Sequence, residues 1–264
     1  MPIFGVFSAR ADGATTVSIG LAAALSQSSR TLLIDLNLQL SEIAPLLDLD
    51  SSRNLFHLAY NAQLAPVEGD DLEAHLSWRD GIGVLPGVRK PEHAEGISDH
   101  FLSGLLETAR TRFENVVLDL GRVRAELPAA VAGGELVWVV TPTPLGMDAL
   151  DRRYWQLDEF GPSWLQSARI VLNRVNESSL VGTERYIERE YGLKVAGTIP
   201  DTPDFWRRVE LQHSPRALNA SDPKHPRYRK THGEQALRVR QAFEQLAQTL
   251  IATEERTPEP VLTA

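Results

Sequence analysis

Short apolar runs recur along the chain, spaced so that a helix fits between each pair. They lie at Ile3–Phe7, Thr31–Leu36, Ile82–Leu85, Asn115–Leu120, Leu136–Thr141, Arg169–Asn173 and Val195–Ile199. The runs are nearly continuous, which marks strands buried on both faces, as parallel strands are. Between them the apolar positions switch to helical spacing. Val17, Gly20, Leu21, Ala24 and Leu25 share one face; Phe101, Leu102, Leu105, Leu106 and Ala109 share another. Ala236, Val239, Ala242, Phe243, Leu246 and Leu250 form a third. This alternation predicts an α/β fold: a doubly wound, mainly parallel sheet of seven or eight strands with helices on both faces. No repeat or linker interrupts it. Residues 1–256 therefore read as a single domain, and 257–264, "TPEPVLTA", as a frayed tail.

Composition narrows the function classes. A net charge of −8 argues against non-specific nucleic-acid binding through overall charge. The chain has no cysteine, which excludes disulfides and thiolate metal sites and fits a reducing compartment. No signal peptide is visible, and no apolar run approaches the ~20 residues of a spanning helix. The expected location is cytoplasmic.

One stretch carries candidate chemistry. "SARADGATT", Ser8 to Thr16, joins the first strand to the first helix. A phosphate-binding loop belongs at that junction, where backbone N–H groups and the helix N-terminus gather positive potential. Gly13, Thr15 and Thr16 keep the end of that design, but the loop has one glycine and no lysine. By itself the stretch reads equally as a strand–turn–helix with Thr15 near an N-cap.

Four further segments follow in order: "TLLIDLNLQLSEIAPLLDLD", "ENVVLDLG" ending its apolar run near Asp119, "ARIVLNRVN" and "VAGTIPDTPDF". With the loop, their order resembles the ParA/MinD superfamily of deviant-Walker-A ATPases, a P-loop NTPase fold. The "DLNLQLSEIAPLLDLD" segment is most similar to its CpaE/TadZ branch, the pilus-assembly localisation proteins. The resemblance spans residues 3 to 252.

The family loop reads Lys-Gly-Gly-x-Gly-Lys-Thr-Thr. Laid back from Thr15 and Thr16, Gly13 matches its last glycine and Ala14 stands at the loop lysine. Ala11 and Arg10 fall on the earlier glycines, and Ala9 on the signature lysine. Arg10 reads either as a relocated cation or as a solvated arginine. Side chains at glycine positions that need positive φ, and Asp12 beside the phosphates, imply weakened or lost triphosphate binding.

The resemblance further implies that Thr15, Asp35 and Asp119 hold Mg2+, Asp119 as the Walker B carboxylate. Asn37 stands where the family has a water-orienting aspartate; an amide holds water but is no base. Asn173 matches an adenine contact, and Pro200 and Asp201 the loop beside the base. Asp119 also reads as a strand-end carboxylate capping a loop.

Other features are weaker. The seven histidines show no metal-ligand spacing and read as surface residues. "RYWQLDEFGPSW" carries Tyr154, Trp155, Phe160 and Trp164, either core or a binding face. "SPRALNASDPKHPRYRKTH" is basic through Arg216, Lys224, Arg227, Arg229 and Lys230, either a solvated loop or a docking patch. "TPTPLG" is a stiff loop at the ligand edge, and similar loops join dimers in relatives. The C-terminal helix lacks a basic membrane-targeting extension.

The resemblance thus implies a localisation or scaffold protein of a pilus or secretion apparatus. It would be a homodimer, bind ATP and Mg2+ weakly or not at all, hydrolyse little, and reach a cell pole or membrane only through partners. The alternative is an active partitioning or division-positioning ATPase.

Overall fold

The computed structural model describes residues 1–122, 134–158, 168–203 and 232–254. Phe160, Trp164, the basic stretch from Arg216 to Lys230 and the tail lie outside the described residues. The chain runs β1 (Ile3–Ser8), α1 (Ala14–Leu25), β2 (Thr31–Asp35), α2 (Ile43–Leu46), α3 (Leu55–Asn61), α4 (Gly69–His75), β3 (Ser77–Arg79) and β4 (Ile82–Leu85). It continues through α5 (Asp99–Arg112), β5 (Asn115–Arg122), β6 (Glu135–Val140), α6 (Pro144–Asp158), β7 (Arg169–Val175), α7 (Thr183–Tyr191), β8 (Lys194–Pro200) and α8 (His232–Glu254).

The strands form one eight-stranded sheet in the order β3-β4-β2-β5-β1-β6-β7-β8. Every pair is parallel except β3 with β4. All seven runs read from the sequence are strands. The eighth, β3, carried no apolar run: it is three half-exposed residues joined to β4 by Asp80 and Gly81. Both turn residues have positive φ, 54° and 87°, the geometry of a tight hairpin. Asp-Gly was the signal that marks it.

Each strand sends alternate residues to opposite faces, and both faces are covered. Leu32, Ile34, Val116, Leu118 and Trp138 pack with α5 through Phe101, Leu105 and Ala109. Leu33, Val117, Val137, Val139 and Val171 pack with α1 and α8 through Val17, Leu21, Phe243 and Leu246. α1 is buried almost all round, because it lies between the sheet and α8. Gly20 permits this closeness: a Cβ there would stand 2.3 Å from the Phe243 ring. β8, at the edge, is mostly half-exposed rather than buried on both faces.

The aromatic stretch divides between its two readings. Tyr154 packs against the core beside Tyr191, and Trp155 is exposed. His57 and His100 are exposed, but His75 and His93 are half-buried, His93 stacked on Phe56 at 4.0 Å. Among the described residues no helix is long and apolar enough to cross a membrane.

Candidate functional site: a phosphate-loop cavity over paired carboxylates

Ligands of open parallel sheets bind beyond the carboxyl ends of the strands. Here β1 ends at Ser8, the chain turns through residues 9–13, and α1 begins at Ala14. Gly13 makes the turn with φ 93° and is the N-cap of α1, with no side-chain cap hydrogen bond. The first backbone N–H groups of α1 are therefore open to an anion. Thr15 stands two residues past that cap.

Residues 10 and 11 do not adopt positive φ; between Ser8 and Thr16 only Gly13 does. The two side chains at family glycine positions thus impose no left-handed strain, contrary to the sequence argument. Asp12 also differs from expectation. Its side chain is buried and does not line the cavity. It lies near Thr141, Arg10 and Arg174, whose hydrogen bonding and charge favour its ionised form. Burial outweighs them and raises its pKa. Asn173 braces the same turn, donating from Nδ2 to the Asp12 carbonyl at 2.7 Å.

The turn closes one end of a cavity of about 660 Å³. Of the residues singled out in the sequence, Arg10, Gly13, Ala14, Thr15, Thr16 and Asn37 line it. Ala11 joins them. Residues not singled out for this site are Glu42, Arg122 and Arg174, which also line it. Asn173, Pro200 and Asp201 are outside the wall. Asn173 is buried behind the loop, and Asp201 accepts from Asn176 Nδ2 at 3.0 Å.

Asp35 and Asp119 are fully buried and do not line the cavity; each is hydrogen-bonded to a wall residue, Asn37 or Gly121, and they stand side by side as register partners of β2 and β5. Asp35 accepts from the backbone N–H of Asn37 at 3.1 Å and of Ile43 at 3.2 Å. Asp119 Oδ1 accepts from the Gly121 N–H at 3.1 Å and the Ser18 hydroxyl at 3.3 Å. The Thr15 hydroxyl also favours its ionised form. Desolvation dominates nonetheless. It pushes Asp119 up to about 6 and Asp35 well above the carboxylate range, with Asp119's charge adding to the rise at Asp35. Ser18 was missed in the sequence because its partner lies 101 residues away. Asn37 rests on Gly121, where a Cβ would stand 2.3 Å from its Cγ.

This donor set fits a divalent cation held with phosphate oxygens. Asp119 Oδ2 is buried with no hydrogen-bond partner among the described residues, an acceptor awaiting a cation. Among those residues no cluster of three His, Asp or Glu side chains could hold a metal alone. Mg2+ suits such a site, since it takes one or two carboxylates and completes its shell with phosphates and water.

Comparison with solved structures places the fold. A ParA family ATPase from Chlorobium tepidum TLS superposes with a TM-score of 0.76 at 21% identity, covering 94% of this chain and 98% of that one. The septum site-determining protein MinD of Pyrococcus horikoshii OT3, complexed with Mg-ADP, gives 0.68 at 19%, covering 97% and 99%. MinD in the MinC:MinD cell division complex of Aquifex aeolicus gives 0.70 at 17%, covering 96% of each. Comparison with curated proteins by sequence finds no match. The family model of the CobQ/CobB/MinD/ParA nucleotide binding domain matches residues 13–215, from the glycine of the loop through all eight strands but β1. That match spans well over half of the chain, and the chain belongs to the CobQ/CobB/MinD/ParA nucleotide-binding family.

Proposed function

We propose that this protein is a positioning or scaffold protein of the ParA/MinD type, similar to the CpaE/TadZ branch. In this reading it binds ATP and Mg2+ weakly, hydrolyses ATP very slowly or not at all, and recruits a pilus or secretion apparatus through its surface. One observation carries it: an uncapped helix N-terminus opens on a cavity whose described wall residues include no lysine, with a buried carboxylate pair bonded to that wall. In this reading the helix N-terminus serves as phosphate cradle and the carboxylates as the metal end, whereas Ala14 stands where the family has the loop lysine. Removing a cation aimed at a transferring phosphoryl group typically costs several kcal/mol of transition-state stabilisation.

In the cradle, the open N–H groups of α1 would bind the phosphates. Thr15 and Asp119, with Asp35 beside it, would hold Mg2+, which when bound neutralises phosphate charge. Asn37 can hold a water against Gly121 but takes no proton from it. The chain is then suited to marking a place, as a homodimer persisting without nucleotide through the surface around Pro142–Met147, where Leu145 is 67% exposed. It would stay in the cytoplasm, reaching a cell pole or membrane through partners.

Calorimetry with Mg-ATP at millimolar concentration and steady-state phosphate release test the ligand claims. Detectable binding with negligible turnover is expected. Turnover on the order of 1 s⁻¹ that Asp119→Asn abolishes would restore the active partitioning ATPase. Sedimentation with and without Mg-ATP tests the dimer, and dimerisation only with ATP, lost in Arg10→Ala, refutes it.

A further inference from the structure

Two arginines outside the loop reach the same cavity. Arg122 is the last residue of β5 and Arg174 the penultimate residue of β7. Both are exposed on the cavity wall with Arg10. Arg174 is held in an uncommon conformation. Its φ is 58°, left-handed for a residue with a Cβ, and the pairing of β7 with β8 slips between Leu172 and Val175. A left-handed non-glycine residue costs about 1 kcal/mol or more and persists only where its surroundings impose it. Bulges of this kind re-aim a side chain at a sheet's edge or beside a site.

The re-aimed guanidinium faces the loop. Arg174 Nη2 lies 3.9 Å from where a Cβ on Gly13 would stand. The charge of Asp12, whose side chain is buried and does not line the cavity, attracts it. Asn173, the neighbouring residue, ties the turn to β7 through the Asp12 carbonyl. The loop and the end of β7 are therefore tied together. Neither Arg122 nor Arg174 forms an ion pair within 4.0 Å among the described residues, although Arg10 approaches Asp12 at 4.0 Å. Their planar, multi-donor forks suit phosphate oxygens.

Resting on the reading that this cavity takes a nucleotide, we propose that Arg174, assisted by Arg122, supplies the phosphate-binding charge of the loop lysine that Ala14 replaces. The ligand class is a nucleoside di- or triphosphate, its phosphate chain held between the N-terminus of α1 and the end of β7. The site's cation has moved from the loop to a strand end.

The test is calorimetry of the full chain with Mg-ATP, inorganic tripolyphosphate and adenosine at two salt concentrations. Arg174→Gln should weaken Mg-ATP and tripolyphosphate by at least about tenfold, the scale of a lost charge-assisted hydrogen bond, and reduce the salt dependence. Adenosine binding should not change. Arg174→Lys should recover part of the loss. Arg185→Gln, which removes the same charge from exposed α7, should change affinity by less than about twofold. Arg174→Gly relaxes the backbone, so it should fold at least as stably as the parent and still lose the phosphate ligands. Parent-like Mg-ATP affinity in Arg174→Gln overturns the assignment and leaves the nucleotide reading standing. A parent chain that binds neither Mg-ATP nor tripolyphosphate at millimolar concentration overturns both.

Discussion

Asp119 should cost this protein stability whenever no cation is bound. Burial carries its carboxyl from 3.8 to about 6 in the folded chain. Its folded pKa is raised, so the folded state binds the proton more tightly than the unfolded state. The resulting stability is fully present below about pH 4 and is lost as pH rises through about 6. With about 1.4 kcal/mol per pKa unit, the loss is about 3 kcal/mol at pH 7.5 and roughly half of that at pH 5. Asp119→Asn removes the charge and keeps an Oδ1 that accepts from the Gly121 N–H and the Ser18 hydroxyl. The metal-free variant should therefore be more stable than the parent by about 3 kcal/mol at pH 7.5 and by about half of that at pH 5. It also relieves Asp35, whose raised pKa owes its second-largest contribution to Asp119. Urea melts of both chains in chelator at the two pH values measure this, and thermal melts should show a rise of about 5–10 °C at the higher one. Adding Mg-ATP should stabilise the parent and not the variant. A variant less stable than the parent at pH 7.5, or a stability gap that does not widen between pH 5 and 7.5, would refute the desolvation argument.

Gly13→Ala should lose about 2–3 kcal/mol, because φ 93° is left-handed and its Cβ would stand 2.6 Å from Asn173 Nδ2; urea melts give the loss, and a neutral result would mean that the turn relaxes. Gly20→Ala gains helix propensity of about 1 kcal/mol but meets Phe243, so a net loss of about 1–2 kcal/mol is expected. Adding Phe243→Leu should return most of it, and additive losses would contradict the contact. Asn37→Asp restores a carboxylate over Gly121 and should raise ATP turnover by about tenfold or more, measured as phosphate release. An unchanged rate would show that the water-orienting position does not limit hydrolysis.

Seven strands, their alternation with helices, the turn at Gly13 and the carboxylate of Asp35 at the end of β2 were legible in the sequence, whereas β5 runs on past Asp119 to Arg122. Each is a local property: a burial period, a turn residue, a carboxylate that stops an apolar run. β3 was not, because three half-exposed residues bury too little to leave a pattern, and the Asp80-Gly81 turn was its one local sign. What the structure alone decided depends on pairing between distant segments. The register of β2 against β5 sets Asp35 beside Asp119, and the rise that Asp119's charge adds at Asp35 follows from that neighbourhood. Ser18 reaches Asp119 because α1 crosses β5. Asp12 reads as a charge beside phosphate until its side chain is seen turned under the loop, with Asn173 from 161 residues away holding its carbonyl. Arg174 looks like an ordinary strand-end arginine until the slip of β7 against β8 gives it a left-handed backbone and aims it at Gly13. A run of residues encodes its own burial and turns. Which charges face each other across a cavity is fixed by register, bulge and crossover, and those exist only once the sheet has closed.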